Sequence, residues 1–478
     1  MKKRWIIGLC LALALVLAVG MFLFRYQQEQ EYLSSHVFLG EDVYPIDAEC
    51  IDLRGRDVTI EYHSQLQALL PECQILWDVP FQGEKVSWDV TVLTVTTLNQ
   101  EDVDVLATQF PYLTHVHAEN CSDYAALTAL KELKPDWTVD YTVTISGKGY
   151  HPTETKELIL ETVDYEELKN HLIYLPGLES IHFPDPDMTA EELISLTESY
   201  PDIDFTWEKT VLGTVYSSSI TELDLSNTQL ENTETLESEL RYFPNLEKVL
   251  LCHCGLDSET LAAYRDRVRD QYKVVWSVKL GRVWTRTDTD TYMPIREKDH
   301  VRDQHLTELK YCEDLIVVDL GHMGVKDTEW IYHTPKLQFL ILADTDVEDL
   351  TPIGTLKELI YLELFKSPNI RDYTPLLGCT ALQDLNLAFT NGDVEVLAQM
   401  TWLDSLWANY CGATPEQKEL LRNSLPDTLL ELDHGWHMGN GWRDRPNYYV
   451  MRDILKMPYY DWGSKRLAEE NKRKYGTG

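Results

Sequence analysis

Between residues 315 and 411 one apolar pattern returns five times. It reads Leu315-x-x-Val318-x-Leu320, Leu337-x-x-Leu340-x-Leu342, Leu359-x-x-Leu362-x-Leu364, Leu382-x-x-Leu385-x-Leu387 and Leu403-x-x-Leu406-x-Ala408, with starts 22, 22, 23 and 21 residues apart. A fixed period of this length constrains the fold strongly. Each unit is a short strand and a return segment that cannot bury its own apolar side, so neighbouring units must stack. Strand alternation then sends the pattern leucines inward and the residues between them to the opposite face.

A longer period occupies the N-terminal half. Trp77, Trp137, Trp207 and Trp276 each precede a glycine (Gly83, Gly147, Gly213 and Gly281), and these glycines lie 64, 66 and 68 residues apart. Strand-like pieces such as Leu178-x-x-Ile181-x-Phe183 and Leu246-x-x-Val249-x-Leu251 fall between them. Each block reads as two or three divergent turns of the same kind, with helices near 190–199 and 258–271 and extended excursions or hairpins at the glycines.

The short repeats resemble the leucine-rich repeat, and its internalin-like class in particular. Asp349-Leu350-Thr351-Pro352-Ile353 and Asp372-Tyr373-Thr374-Pro375-Leu376 occupy equivalent places in the linking segments. The resemblance implies an α/β solenoid: a curved parallel β-sheet with helices or 3-10 turns on the convex side. In such repeats an inward Asn or Cys follows the strand. Here the slot holds Met323, Thr345, Ser367, Thr390 and Cys411, a degenerate ladder, and Cys121 and Cys254 fall in the same slot after their own strands. The tryptophan blocks, Gly441-Trp442-Arg443 and Asn447-Tyr448-Tyr449-Val450-Met451-Arg452-Asp453 resemble those of leucine-rich proteins of Firmicutes, a likeness that brings no activity with it.

Lys2, Lys3 and Arg4 precede an uncharged run from Trp5 to Phe24 that Arg25 closes. The run is long enough to span a bilayer, and the leading positive charge sends the remainder across. Residues 1–25 are therefore expected to be a signal anchor, making the protein single-pass in the cell membrane with an exported C-terminal part. Cleavage as a signal peptide near Ala18 and Gly20, giving a secreted protein, is the other reading. The expected organisation continues with a juxtamembrane linker (26–45), divergent long-period repeats (46–284), a polar junction or loop (285–310), regular repeats (311–433) and a C-terminal cap (434–478).

The chain carries 42 Lys and Arg against 79 Asp and Glu, a net charge of −37. That argues against nucleic acid as a partner, because phosphate binding needs basic stripes. The charge is divided: residues 26–433 carry −45, and 434–478 carry +4. No GxSxG elbow, phosphate-cradling GxxxxGK loop or HExxH helix occurs, so neither catalysis nor a cofactor is expected. Cys252-His253-Cys254 and the His434/His437 pair lack the companion ligands that zinc requires, and Asp288/Asp290 and Asp344/Asp346 do not follow the calcium-loop spacing. No metal site is expected. The strand pattern instead nominates a concave ligand-binding strip of Asp319, His322, Phe339, Tyr361, Glu363, Phe365, Asn386, Phe389, Trp407 and Tyr410. Such aromatics must be covered, either by a protein or glycan partner at the cell envelope or by the chain's own cap and loops. Two functions follow: a membrane-tethered binding protein, or a structural subunit of an envelope complex.

Overall fold

The computed structural model describes residues 2–295, 301–433 and 441–457, with side chains from residue 13 onward. His434 and His437 lie outside the described residues. The chain divides into two compact units, Met1–Glu208 and Lys209–Gly478.

The first unit opens with a helix over Lys2–Ser35, whose side chains from Leu13 to Ser35 are all exposed. Among the described residues no helix is long and apolar enough to cross a membrane, and the side chains of residues 5–12 of the expected span lie outside the described ones. Beyond a short hairpin (His36–Leu39 with Asp42–Pro45), parallel strands follow in sets: Cys50–Asp52 with Gln74–Leu76, and Val92–Thr94 with His115–His117 and Thr138–Asp140. The next set joins Glu157–Ile159, Ser180–Phe183 and the start of Asp204–Val211. Helices run between these strands and bury one stripe each, such as Val103 and Leu106, or Leu193 and Leu196. Capping boxes start two of them, Asn99 with Asp102 and Thr189 with Glu192, which satisfies backbone N–H groups that a helix start leaves unpaired.

The glycine-marked excursions are hairpins. Asp78–Phe81 pairs antiparallel with Glu84–Ser87, and Val143–Ile145 with Lys148–Tyr150. Both residues of each two-residue turn, Gln82-Gly83 and Ser146-Gly147, have positive φ, the geometry that follows the natural twist of paired strands. Trp77, Trp207 and Trp276 are buried at their blocks.

In the second unit, Glu222–Asp224, Lys248–Leu250 and Lys273–Val275 form a parallel sheet, and Ser277–Leu280 and Val283–Arg286 a hairpin. A seven-stranded parallel sheet follows in strict chain order: Thr291–Tyr292, Val317–Asp319, Phe339–Ile341, Tyr361–Glu363, Asp384–Asn386, Ser405–Trp407 and Leu429–Glu431. It has one strand before the five legible repeats and one after them. The first falls within 285–310, the segment expected to be a polar junction or loop.

The sheet's inward column is Val318, Leu340, Leu362, Leu385 and Leu406, each fully buried and in register with the next. Return segments between the regular strands are 3-10 turns, as at Ile353–Thr355 and Thr374–Gly378, whereas the last coil has an α-helix, Pro415–Ser424. The ladder slot is degenerate in identity but keeps its work. Thr345 and Ser367 hydroxyls donate to the Leu342 carbonyl, and Thr390 and the Cys411 thiol to that of Leu387. Cys121 and Cys254 are buried too, and every cysteine whose side chain is described is a free thiol.

Successive return turns nearly touch at Gly354 and Gly378. A Cβ on Gly378 would land on the Gly354 carbonyl oxygen, and one on Gly354 on that of Pro375. Gly378→Ala should therefore force two coils apart and cost about 1–3 kcal/mol, read as a lower urea midpoint.

Candidate functional site

The sheet face opposite the leucine column displays two rows. One is Val317, Phe339, Tyr361, Asp384 and Ser405, and the other is Asp319, Ile341, Glu363, Asn386 and Trp407. This places six of the expected strip residues (Asp319, Phe339, Tyr361, Glu363, Asn386 and Trp407) together on one face. Phe365 lies two residues past its strand and joins the same apolar cluster.

The strip is not an open surface. Phe339, Tyr361 and Trp407 are fully buried, as are Glu363 and Asn386, while Asp319 is half-buried. What covers them is the C-terminal segment, a 3-10 turn at Trp442–Asp444 followed by a helix at Pro446–Ile454. Trp442 stacks on Tyr361 at 4.8 Å between centroids and meets Trp407 edge-on at 5.1 Å. Tyr448, Tyr449 and Met451 complete the cluster. Of the two covers expected for these aromatics, a partner or the chain's own cap, the cap is the one seen over Phe339, Tyr361 and Trp407.

Charge anchors this cover. Arg443 pairs with Glu363 at 3.1 Å, and Arg445 with Asp384 at 2.8 Å, both carboxylates having almost no solvent exposure. Asn447 donates to Asp384 at 2.8 Å and to Gln383 at 2.9 Å, and the Ser405 hydroxyl also donates to Asp384. Two carboxylates in an apolar trough would be costly alone, so cover and acids require each other. Asp384 and the two arginines escaped the sequence reading. The signal was present, because Asp384 aligns with Phe339 and Tyr361 in the repeat, where an apolar residue is the rule.

The remaining expected residues, His322, Phe389 and Tyr410, lie past the strands at the edge of this face, where Phe389 meets Phe365 edge-on at 5.6 Å. With Asp344 and Lys366 they sit three residues beyond successive strands, all with φ between 56° and 63°. This left-handed position recurs once per coil and builds a ridge at the rim of the sheet. Phe389 stacks on Tyr410 at 4.4 Å, and His322 contacts Asp344 at 2.9 Å. A hollow lined by His322, Asp344, Lys366 and Phe389 opens beside it.

Two substitutions separate these roles. Arg445→Ala leaves Asp384 buried with only Asn447 and Ser405 as partners, and should cost about 3 kcal/mol in a denaturant titration. Burial raises the Asp319 carboxyl above its usual pKa, against the opposing hydrogen bond from the Gly321 N–H. The folded state then holds a proton that the unfolded state has released, so this group lowers stability as pH rises through the window above the ordinary carboxylate range. Asp319→Asn should raise stability at neutral pH and flatten that decline, measured as urea midpoints between pH 4 and pH 8.

No family model and no curated protein matches the chain. Among solved structures it is similar to an internalin of Listeria monocytogenes, at 14% identity over 82% of this chain and 84% of that one, with a TM-score of 0.24. An internalin C2 of the same organism matches at 19% identity over 52% and 76%, with a TM-score of 0.20. A leucine-rich-repeat protein of Leptospira interrogans matches at 12% identity over 79% and 91%, with a TM-score of 0.20. No ligand is inherited from likenesses this distant.

Proposed function

We propose that the chain is a non-catalytic leucine-rich-repeat protein that binds a protein partner at the cell envelope, with its best-built groove held closed by its own C-terminal segment. One observation carries the reading: the sheet face opposite the leucine column in the second unit receives a peptide segment through two arginine–carboxylate pairs and a tryptophan between two aromatic rings. Aromatic and arginine anchors in a desolvated trough are the chemistry of protein recognition hot spots. Because the occupant in cis is a peptide, a protein partner fits the trough better than a glycan does. The partner either displaces residues 441–457 or uses the exposed ridge of His322, Asp344, Lys366 and Tyr410.

The N-terminal run supports tethering. Leu13, Val16, Leu17, Phe22 and Phe24 are exposed on the Lys2–Ser35 helix, and lipid is the natural cover for such a surface. The proposed location is the cell membrane, with the repeats on the outer side.

A second reading, a structural subunit of an envelope complex, draws on the same closure, since a sealed trough needs no ligand. Capture of extracellular proteins by the full chain and by its Arg445→Ala variant distinguishes them. Several-fold stronger capture by the variant means that partner and segment compete for the trough. Equal capture places the partner on the ridge. No capture by either form favours the structural subunit.

A further inference from the structure

The first unit carries a donor cluster that the sequence reading passed over. In Thr114-His115-Val116-His117, strand alternation buries Val116 and turns both histidines to the other face. The parallel Thr138–Asp140 strand sets Asp140 in register with His117. The Asp140 Oδ2 atom lies 2.5 Å from His115 Nε2 and 3.0 Å from His117 Nδ1, and the two rings are 4.3 Å apart. One donor atom from each residue falls within 4.8 Å of the others, and among the described residues no other group of three such side chains is brought together.

We propose that His115, His117 and Asp140 form a binding site for a divalent first-row metal ion, with zinc as the ion its donors suit best. Two neutral imidazoles and one carboxylate are a borderline nitrogen and oxygen set, which favours zinc over calcium or magnesium. A tetrahedral ion with bonds near 2.1 Å holds its donors about 3.4 Å apart. The 2.5 Å contact is about 0.9 Å shorter than this and the 3.0 Å contact about 0.4 Å shorter, and χ rotations of these side chains, each 33–43% exposed, open them to that spacing. The backbone need not move, because adjacent parallel strands already fix the three Cα positions. In the register, the residues opposite His115 are Val92 and Thr138, and Thr94 is opposite His117; none is a strong zinc ligand. Three protein donors leave a fourth position for water or for a side chain of a bound protein.

The alternative is a carboxylate that simply hydrogen-bonds two imidazoles. Chelator-stripped full-length protein titrated with zinc chloride in a calorimeter decides between them, with cobalt(II) absorption reporting the donor type. The expected result is one ion per chain, weakened about tenfold or more in Asp140→Asn. Binding should be lost in His117→Ala and in His117→Gln, with circular dichroism showing both variants folded. The cobalt spectrum should show nitrogen and oxygen donors without a thiolate charge-transfer band. Absence of zinc uptake, uptake unchanged in these variants, or a thiolate band showing cysteine ligation would each overturn the assignment.

Discussion

Strands of three residues govern this architecture. Each coil donates only a few hydrogen bonds to the next, too little for an isolated strand pair to persist in water. Cohesion therefore rests on the column Val318, Leu340, Leu362, Leu385 and Leu406, in which every side chain is buried by the coil before and the coil after. Everything else follows from keeping that column in register. Return turns must be thin, so regular coils use 3-10 geometry and allow glycines to meet at Gly354 and Gly378. Inward polar slots must satisfy carbonyls, so a hydroxyl or a thiol serves wherever it reaches one.

The opposite face has its own constraint. Stacking in register places like residues side by side, and a sheet with Phe339, Tyr361 and Trp407 on one face cannot be left wet. The segment 441–457 solves this with its own aromatics, and Glu363 and Asp384 fix where it sits. The basic character of the C-terminal region beside a strongly acidic repeat region acquires a structural meaning here, because at least two of its arginines neutralise carboxylates that would otherwise be buried unpaired.

Much of this was legible in the sequence. The leucine period fixed the parallel stack and its inward face, and the spaced glycines marked hairpins that the structure contains. The first strand of the regular sheet was not legible, because Thr291–Tyr292 presents one apolar residue and pairs over only two positions. The covering of the aromatic strip was hidden for a different reason. A period reveals which residues share a face, whereas a non-repeating segment that reaches back 35 to 80 residues to Trp407, Asp384 and Glu363 leaves no periodic trace. The His115, His117 and Asp140 cluster was obscured likewise, since His-x-His is visible in one strand but its carboxylate comes from the next.

The left-handed ridge separates backbone from side chain. His322, Asp344, Lys366, Phe389 and Tyr410 share one backbone conformation yet span basic, acidic, aromatic and imidazole chemistry. Glycine would relieve the strain at each site, of order 1 kcal/mol, but would also erase the side chain. Five successive coils forgo that relief. The rim thus behaves as a row of interchangeable sockets, in which one coil's chemistry can be rewritten without altering the path of its neighbours, and new surface specificity can arise by single substitutions on an unchanged scaffold.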